Sequence, residues 1–172
     1  VIINSGSGNQ GLTASIPVIQ YAKDRGVGDE RLYRGLLISN LITIHAKTWI
    51  GRLSAYCGAV SAGAGAGAGI AFVCGSDQDT IAHTIVNALA IASGIVCDGA
   101  KPSCAAKIAL SVEAGILGYE MYLDGQQFYA GDGLVLKGVE ASIKNFGRLG
   151  SVAMRETNRE ICQMMTEGSD CP

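Results

Sequence analysis

Residues 53–76, LSAYCGAVSAGAGAGAGIAFVCGS, run without a formal charge and alternate alanine with glycine from Ala62 to Gly69. Three structures suit such a stretch. A bilayer span needs about 20 predominantly apolar residues, but here the glycines and the polar Ser54, Tyr56 and Ser61 make the segment much less greasy than a Leu/Ile/Val span. A silk-like strand matches the period of two, yet the run is short and glycine is poor in strand interiors. The third structure is a helix buried on all sides, whose small residues let neighbouring backbones approach closely. That reading predicts a bundle and no membrane association.

The flanking sequence carries helical periodicity punctuated by glycine. Residues 12–25 place apolar side chains at helical spacing and end at Gly26. Residues 29–47 open with Asp29 and Glu30, which suit a helix N-terminus, and repeat Leu32, Leu36, Ser39/Asn40 and Thr43 on one face. Ser76, Asp77, Gln78 and Asp79 cap a predicted helix over 80–93, and another over 103–122 follows the loop at Pro102. Helices over 134–149 and 157–165 close the chain, the latter opening with the capping pattern Thr157-Asn158-Arg159-Glu160. Strand signals are confined to residues 1–4 and to 128–136 with its Gly-Asp-Gly turn. The predicted class is all-α, a helical bundle around a buried Gly/Ala-rich helix with at most a minor β element.

The composition fits one packed unit. Of 172 residues 48% are hydrophobic, 16% charged and 6% aromatic, which excludes a disordered chain. Thirteen Lys+Arg against 15 Asp+Glu give a net charge of −2, without the basic surplus that phosphate neutralisation requires, so nucleic acid is not an expected partner. Six cysteines lie in apolar, Gly/Ala-rich surroundings with no secretory signal. They read as reduced thiols in a cytoplasmic protein rather than a disulfide framework. The chain opens on Val1 with its pattern already running, as expected of a piece of a longer polypeptide, and exposed Gly/Ala faces make a homodimer an expected assembly.

Two segments carry candidate chemistry. Gly6-Ser7-Gly8-Asn9-Gln10-Gly11 matches G-x-G-x-x-G, but the second strand and acid of a dinucleotide unit are missing, since Gly28-Asp29-Glu30-Arg31 opens another helix. An anion-binding loop at a helix N-terminus, or a plain turn, are the other readings. The free N–H groups and the hydroxyls of Ser5 and Ser7 would suit a carboxylate. Cys97 and Cys104 bracket a loop whose Gly99 and Pro102 permit a tight return, so both thiols could face one point. Without a C-x2-C pair the spacing alone argues only weakly for zinc or an iron–sulfur cluster. Cys57 and Cys74, at the two ends of the Gly-rich helix, are both candidates for a third ligand. His45 and His83 lie on predicted helices. Lys47, Arg52 and Lys101 could pair with an anionic substrate or be solvated charges, and Glu113, Glu120 and Glu140 read as surface acids.

Three segments together, residues 5–11 (SGSGNQG), 51–58 (GRLSAYCG) and 94–105 (GIVCDGAKPSCA), resemble the L-cysteine desulfidase-like family. This is a branch of the iron–sulfur L-serine dehydratase alpha-chain superfamily. The resemblance runs over most of the chain and implies that residues 1–172 are a helical catalytic domain, the C-terminal part of a longer polypeptide. It implies a [4Fe–4S] cluster on Cys57, Cys97 and Cys104, with Cys74 left as a core residue. It also implies a substrate-binding loop at Ser5, Gly6, Ser7, Gly8 and Asn9, with Lys101 beside it. The implied reaction is α,β-elimination from L-cysteine to pyruvate, ammonia and sulfide, or from L-serine, without pyridoxal phosphate. His45, or a residue of the missing upstream region, would remove the Cα proton. Cys171 is placed where such dehydratases carry a tail cysteine, although Cys162 and Cys171 match no defined pattern. The alternative is a metal-free helical binding domain or an inactive fragment.

Overall fold

A computed structural model describes residues 2–167. Seven α-helices account for most of them: α1 Gly8–Asp24, α2 Asp29–Ile50, α3 Gly58–Val73, α4 Gln78–Ala92, α5 Pro102–Leu123, α6 Val139–Arg148 and α7 Arg155–Glu167. A single π-helical turn, Leu149–Ala153, joins the last two. Among the described residues no strand forms. The two strand-prone segments yield only an isolated bridge, Asn4 to Ser7, and loop; a second bridge joins Tyr56 to Val96.

The Gly/Ala-rich segment is the central helix. Every residue of α3 except Phe72 is buried, and α1, α2, α4 and α5 pack around it. Consecutive residues of an α-helix are about 100° apart, so glycines two residues apart fall on opposite faces while those four apart share one. Gly65 and Gly69 thus form one flat stripe against α2, and Gly63 and Gly67 form another against α5. A β-carbon on Gly65 would lie 2.3 Å from Thr43 Oγ1 and 2.5 Å from the Ser39 carbonyl oxygen. One on Gly63 would lie 2.1 Å from the Ser111 carbonyl oxygen, and Gly67 meets Gly115 in the same way. A sequence period of two, which in a strand would face one side, here gives a helix two partners. No helix among the described residues is long and apolar enough to cross a membrane.

Element boundaries depart from the sequence expectation where side chains cap earlier or later. α1 starts at Gly8 rather than residue 12 because the Ser7 hydroxyl accepts the Gln10 N–H at 3.2 Å, drawing half of the glycine loop into the first turn. Residues 134–138 stay in turn and bend instead of opening α6: Ser142 Oγ accepts the Leu136 N–H and donates to its carbonyl, and Asn145 donates to the Leu134 carbonyl. The rest of 128–136 is likewise engaged away from strand pairing: the Phe128 N–H donates to Asn87 Oδ1, the Tyr129 N–H to Asp132 Oδ2 and the Gly131 N–H to the Val135 carbonyl. α7 begins at Arg155, so the Thr157–Glu160 pattern lies inside a helix rather than at its start.

Candidate functional site

Cys57 and Cys97 are brought together by backbone geometry. Around the Tyr56–Val96 bridge, the Cys57 N–H donates to the Ile95 carbonyl at 3.0 Å and the Cys97 N–H to the Ala55 carbonyl at 2.7 Å. Side chains alternate along such a pair, so Tyr56 and Val96 point one way and both cysteines the other. Tyr56 is fully buried and anchors the arrangement. Ser54 locks it further, accepting the Tyr56 N–H and donating to the Gly150 carbonyl at 2.8 Å in the π-helical turn. Gly150 is glycine because a β-carbon there would lie 2.9 Å from Tyr56 Cβ.

Cys104 arrives from the first turn of α5, where Pro102 occupies a position that needs no N–H. Asn9, in the first turn of α1, donates to Cys104 Sγ at 3.4 Å. Asp98 pairs with Lys107 across the intervening loop, and Gly99 takes a φ of +88° to make the return. Cys57, Cys97 and Cys104 all line one cavity of about 170 Å3, bordered also by Gly6, Ser7, Asn9 and Gln10. The N-termini of α1, α3 and α5 all border it, and aligned peptide dipoles favour negative charge there. Cys57 itself stands at the N-cap of α3.

The electrostatics are those of a thiolate site. The thiol of Cys97 is lowered to about 5, chiefly by a hydrogen bond from Cys57, helped by the Gly99 N–H and the Lys107 and Lys47 ammonium groups and opposed by burial. Cys57 moves the opposite way, as the donor in that bond and through its burial, although the Ala59 N–H opposes the shift. Lys47 is 5% exposed and lines the cavity; burial lowers its affinity for the proton, with the Cys97 and Cys57 charges opposing.

Other expected residues are placed elsewhere. Cys74 caps the far end of α3, 17 residues and roughly 25 Å of helix from Cys57. The structure therefore brings Cys57, not Cys74, to the cavity. His45 lies away from it, its Nε2 2.7 Å from Glu140 Oε2 on α6. Lys101, at the N-cap of α5, is exposed and outside the cavity lining. Within the glycine loop Gly6, Ser7 and Asn9 reach the cavity. Ser5 instead takes a φ of +54° and donates to Asn4, and Gly8 begins α1 outside the lining. Gly11 packs against the Ile2 carbonyl rather than opening a dinucleotide site. Cys162 is exposed on α7, and Cys171 lies outside the described residues.

Two cavity residues carry more weight than their sequence reading gave them. The sequence leaves Lys47 open as a partner for an anionic substrate or a solvated charge; the structure turns it inward, continuing the face of Ser39 and Thr43 at a spacing of four. Gln10 is 8% exposed and its Oε1 is buried without a hydrogen-bond partner, as is the hydroxyl of Tyr56. Among the described residues no three His, Cys, Asp or Glu side chains are grouped to hold a single metal ion. The cavity does gather three thiols at helix N-termini, the donor type that iron–sulfur clusters take.

A family model described as serine dehydratase alpha chain matches residues 1–163. The chain is 66% identical over 165 residues to a UPF0597 protein of Desulfitobacterium hafniense, covering 96% of this chain and 38% of that protein. It is 54% identical over 165 residues to a UPF0597 protein of Lachnoclostridium phytofermentans (96% and 40%), and 50% identical over 167 residues to one of Finegoldia magna (97% and 40%). The chain thus spans about two fifths of the length of these relatives. No solved structure matches. With its all-helical fold and its match to that family model over nearly its whole length, the chain belongs to the serine dehydratase alpha-chain family.

Proposed function

We propose that this chain carries the cluster-binding part of a lyase that eliminates sulfide from L-cysteine, L-serine being the alternative substrate. The supporting observation is the convergence of Cys57, Cys97 and Cys104 on one cavity at three helix N-termini. These thiolates would hold a [4Fe–4S] cluster, which when bound supplies an iron open to the leaving thiol or hydroxyl as a Lewis acid. The overall reaction removes the Cα proton and breaks the Cβ–S bond, giving HS− and aminoacrylate, which water converts to pyruvate and ammonium. No pyridoxal cofactor is required.

The chain's own residues position and shelter this chemistry. Asn9 donates to Cys104 Sγ, and the Gly99 and Ala59 N–H groups donate to Cys97 and Cys57, each bond favouring the thiolate. The Asp98–Lys107 pair fixes the loop between two of the thiols. His45 is engaged by Glu140 outside the cavity. The group that takes the Cα proton is therefore assigned to the rest of the polypeptide. That remaining polypeptide is the proposed partner of the exposed apolar face of α1 and α2, and the reduced thiols suit the cytoplasm.

Anaerobic reconstitution of the full-length protein with iron and sulfide tests the reading. About four irons per chain are expected, lost in Cys57→Ser, Cys97→Ser and Cys104→Ser and retained in Cys74→Ser, followed by iron content and visible absorption. Equal losses from all four substitutions would overturn the ligand assignment. Sulfide and pyruvate release from cysteine and serine then separates the two substrates.

A further inference from the structure

Two buried residues of the cavity wall, Lys47 and Gln10, have no role in gripping a cluster; Arg52 also lines the cavity but is exposed. Lys47 is 5% exposed and has no carboxylate partner among the described residues; its charged neighbours are the thiols of Cys97 and Cys57. Gln10 is 8% exposed, and its Nε2 donates to Ser7 Oγ at 3.2 Å while its Oε1 accepts from nothing. Its amide lies against the α-carbon of Gly58, where a β-carbon would fall 2.4 Å from Gln10 Cδ. The amide is thus held in place by the glycine next to a ligand cysteine.

The two groups differ in what they ask of an occupant. A buried ammonium beside thiolates is explained by their charge alone. A buried, unpaired carbonyl oxygen is not: it repels thiolate and inorganic sulfide, and a hydrogen-bond donor entering the cavity would satisfy it. A cation and an acceptor on the wall of one small cavity are complementary to an occupant that is anionic at one end and a hydrogen-bond donor at the other. An α-amino acid zwitterion has that form, with both charges on substituents of the carbon next to its reactive side chain.

We propose that Lys47 and Gln10 read the two charged ends of the substrate, Lys47 Nζ pairing with the α-carboxylate and Gln10 Oε1 accepting from the α-ammonium. This rests on the cluster reading above. It makes both of them specificity-determining residues for the α-amino acid group rather than for the leaving atom.

The test compares three thiols on the reconstituted full-length protein by rapid-mixing visible absorption of the cluster: L-cysteine, cysteamine, which lacks the carboxylate, and 3-mercaptopropionate, which lacks the ammonium. Wild type binds L-cysteine in preference to both. Lys47→Met is expected to lose at least about thirtyfold of the preference over cysteamine while keeping that over 3-mercaptopropionate. Gln10→Met is expected to show the converse at about tenfold. Lys47→Arg and Gln10→Glu keep the wild-type preferences, and Lys47→Gln replaces Lys47→Met if the latter fails to fold. Uniform weakening of all three thiols, unchanged preferences, or loss of iron from Lys47→Met but not from Lys47→Arg would each overturn the assignment while leaving the cluster reading intact. Absence of iron from wild type would overturn both.

Discussion

His45 and Lys47 are two residues apart on α2, about 200° around the helix, and that angle separates their fates. Lys47 turns into the bundle, whereas His45 turns out and ties α2 to α6 through Glu140. The hydrogen bond from His45, with a smaller contribution from Lys144, holds the Glu140 carboxyl below its ordinary value. A carboxylate depressed in the folded state adds stability above its unfolded value of about 4.3, and that stability is lost as pH falls through the lower folded value. The pair is about half exposed, so its worth is no more than about 0.5–1 kcal/mol. Urea unfolding of wild type and Glu140→Gln should differ by that amount at pH 6 and converge as pH falls below the ordinary carboxylate value of about 4.3. A difference independent of pH would show that the carboxylate charge is not involved. On the functional side, His45→Ala in the full-length protein should leave turnover unchanged, and a large loss would return the proton to His45.

At the scale of elements, the close approach of α3 to two partners sets the sharpest stability prediction. Gly65→Ala and Gly67→Ala each improve helix propensity by about 1 kcal/mol. Each also drives a β-carbon into a neighbouring helix, toward the Ser39 carbonyl and Thr43 in one case and the Gly115 backbone in the other. Overpacking dominates, for an expected net loss of about 1–3 kcal/mol in denaturant unfolding. Because the two glycines are neighbours on one helix wedged between α2 and α5, the double substitution should depart from additivity. Gly28→Ser, at an uncapped N-terminus with open space around it, should change stability by only a few tenths of a kcal/mol. The same element shows how far the sequence could be read. The Ala/Gly run makes a buried helix legible because the glycines are too many for a bilayer span and the run too short and glycine-rich for a strand. Which thiol joins Cys97 and Cys104 was not legible from spacing, because Cys57 and Cys74 are equivalent until the direction of α3 is known. The resemblance chose Cys57, and the bridge at Tyr56 places it beside Cys97. Lys47 is legible as one of three cations that could meet an anionic substrate, and its helical phase with Ser39 and Thr43 is what sets it apart in the fold as the buried one. Gln10 is hidden for a different reason: that its Oε1 lacks a partner is a property of the folded chain, not of its sequence.

For the molecule as a whole, an unfinished surface lies on α1 and α2. Ser15 and Asn40 touch across the two helices. Beside that contact, Leu12, Ile16 and Ile19 on α1 and Tyr33, Leu37, Leu41 and Ile44 on α2 are all exposed at helical spacing, Leu37 at 59% and Leu41 at 53%. An apolar stripe of this extent marks a surface that another part covers. The relatives carry about three fifths of their length outside the matched region. A tethered segment competes at an effective concentration of about millimolar, which a second copy does not reach at ordinary protein concentrations. The remaining polypeptide is therefore the expected cover. In the full-length protein, Leu37→Cys and Leu41→Cys should resist maleimide labelling at every dilution, whereas Leu117→Cys on α5, outside this stripe, serves as the reference. Protection that disappears on dilution would mean that a second copy covers the stripe, and rapid labelling throughout would mean that nothing does. If the remaining polypeptide is the cover, Leu37→Asp should expose both stripes to protease without reducing cluster content, because Cys57, Cys97 and Cys104 are held by α3, α5 and the Tyr56 bridge rather than by that face.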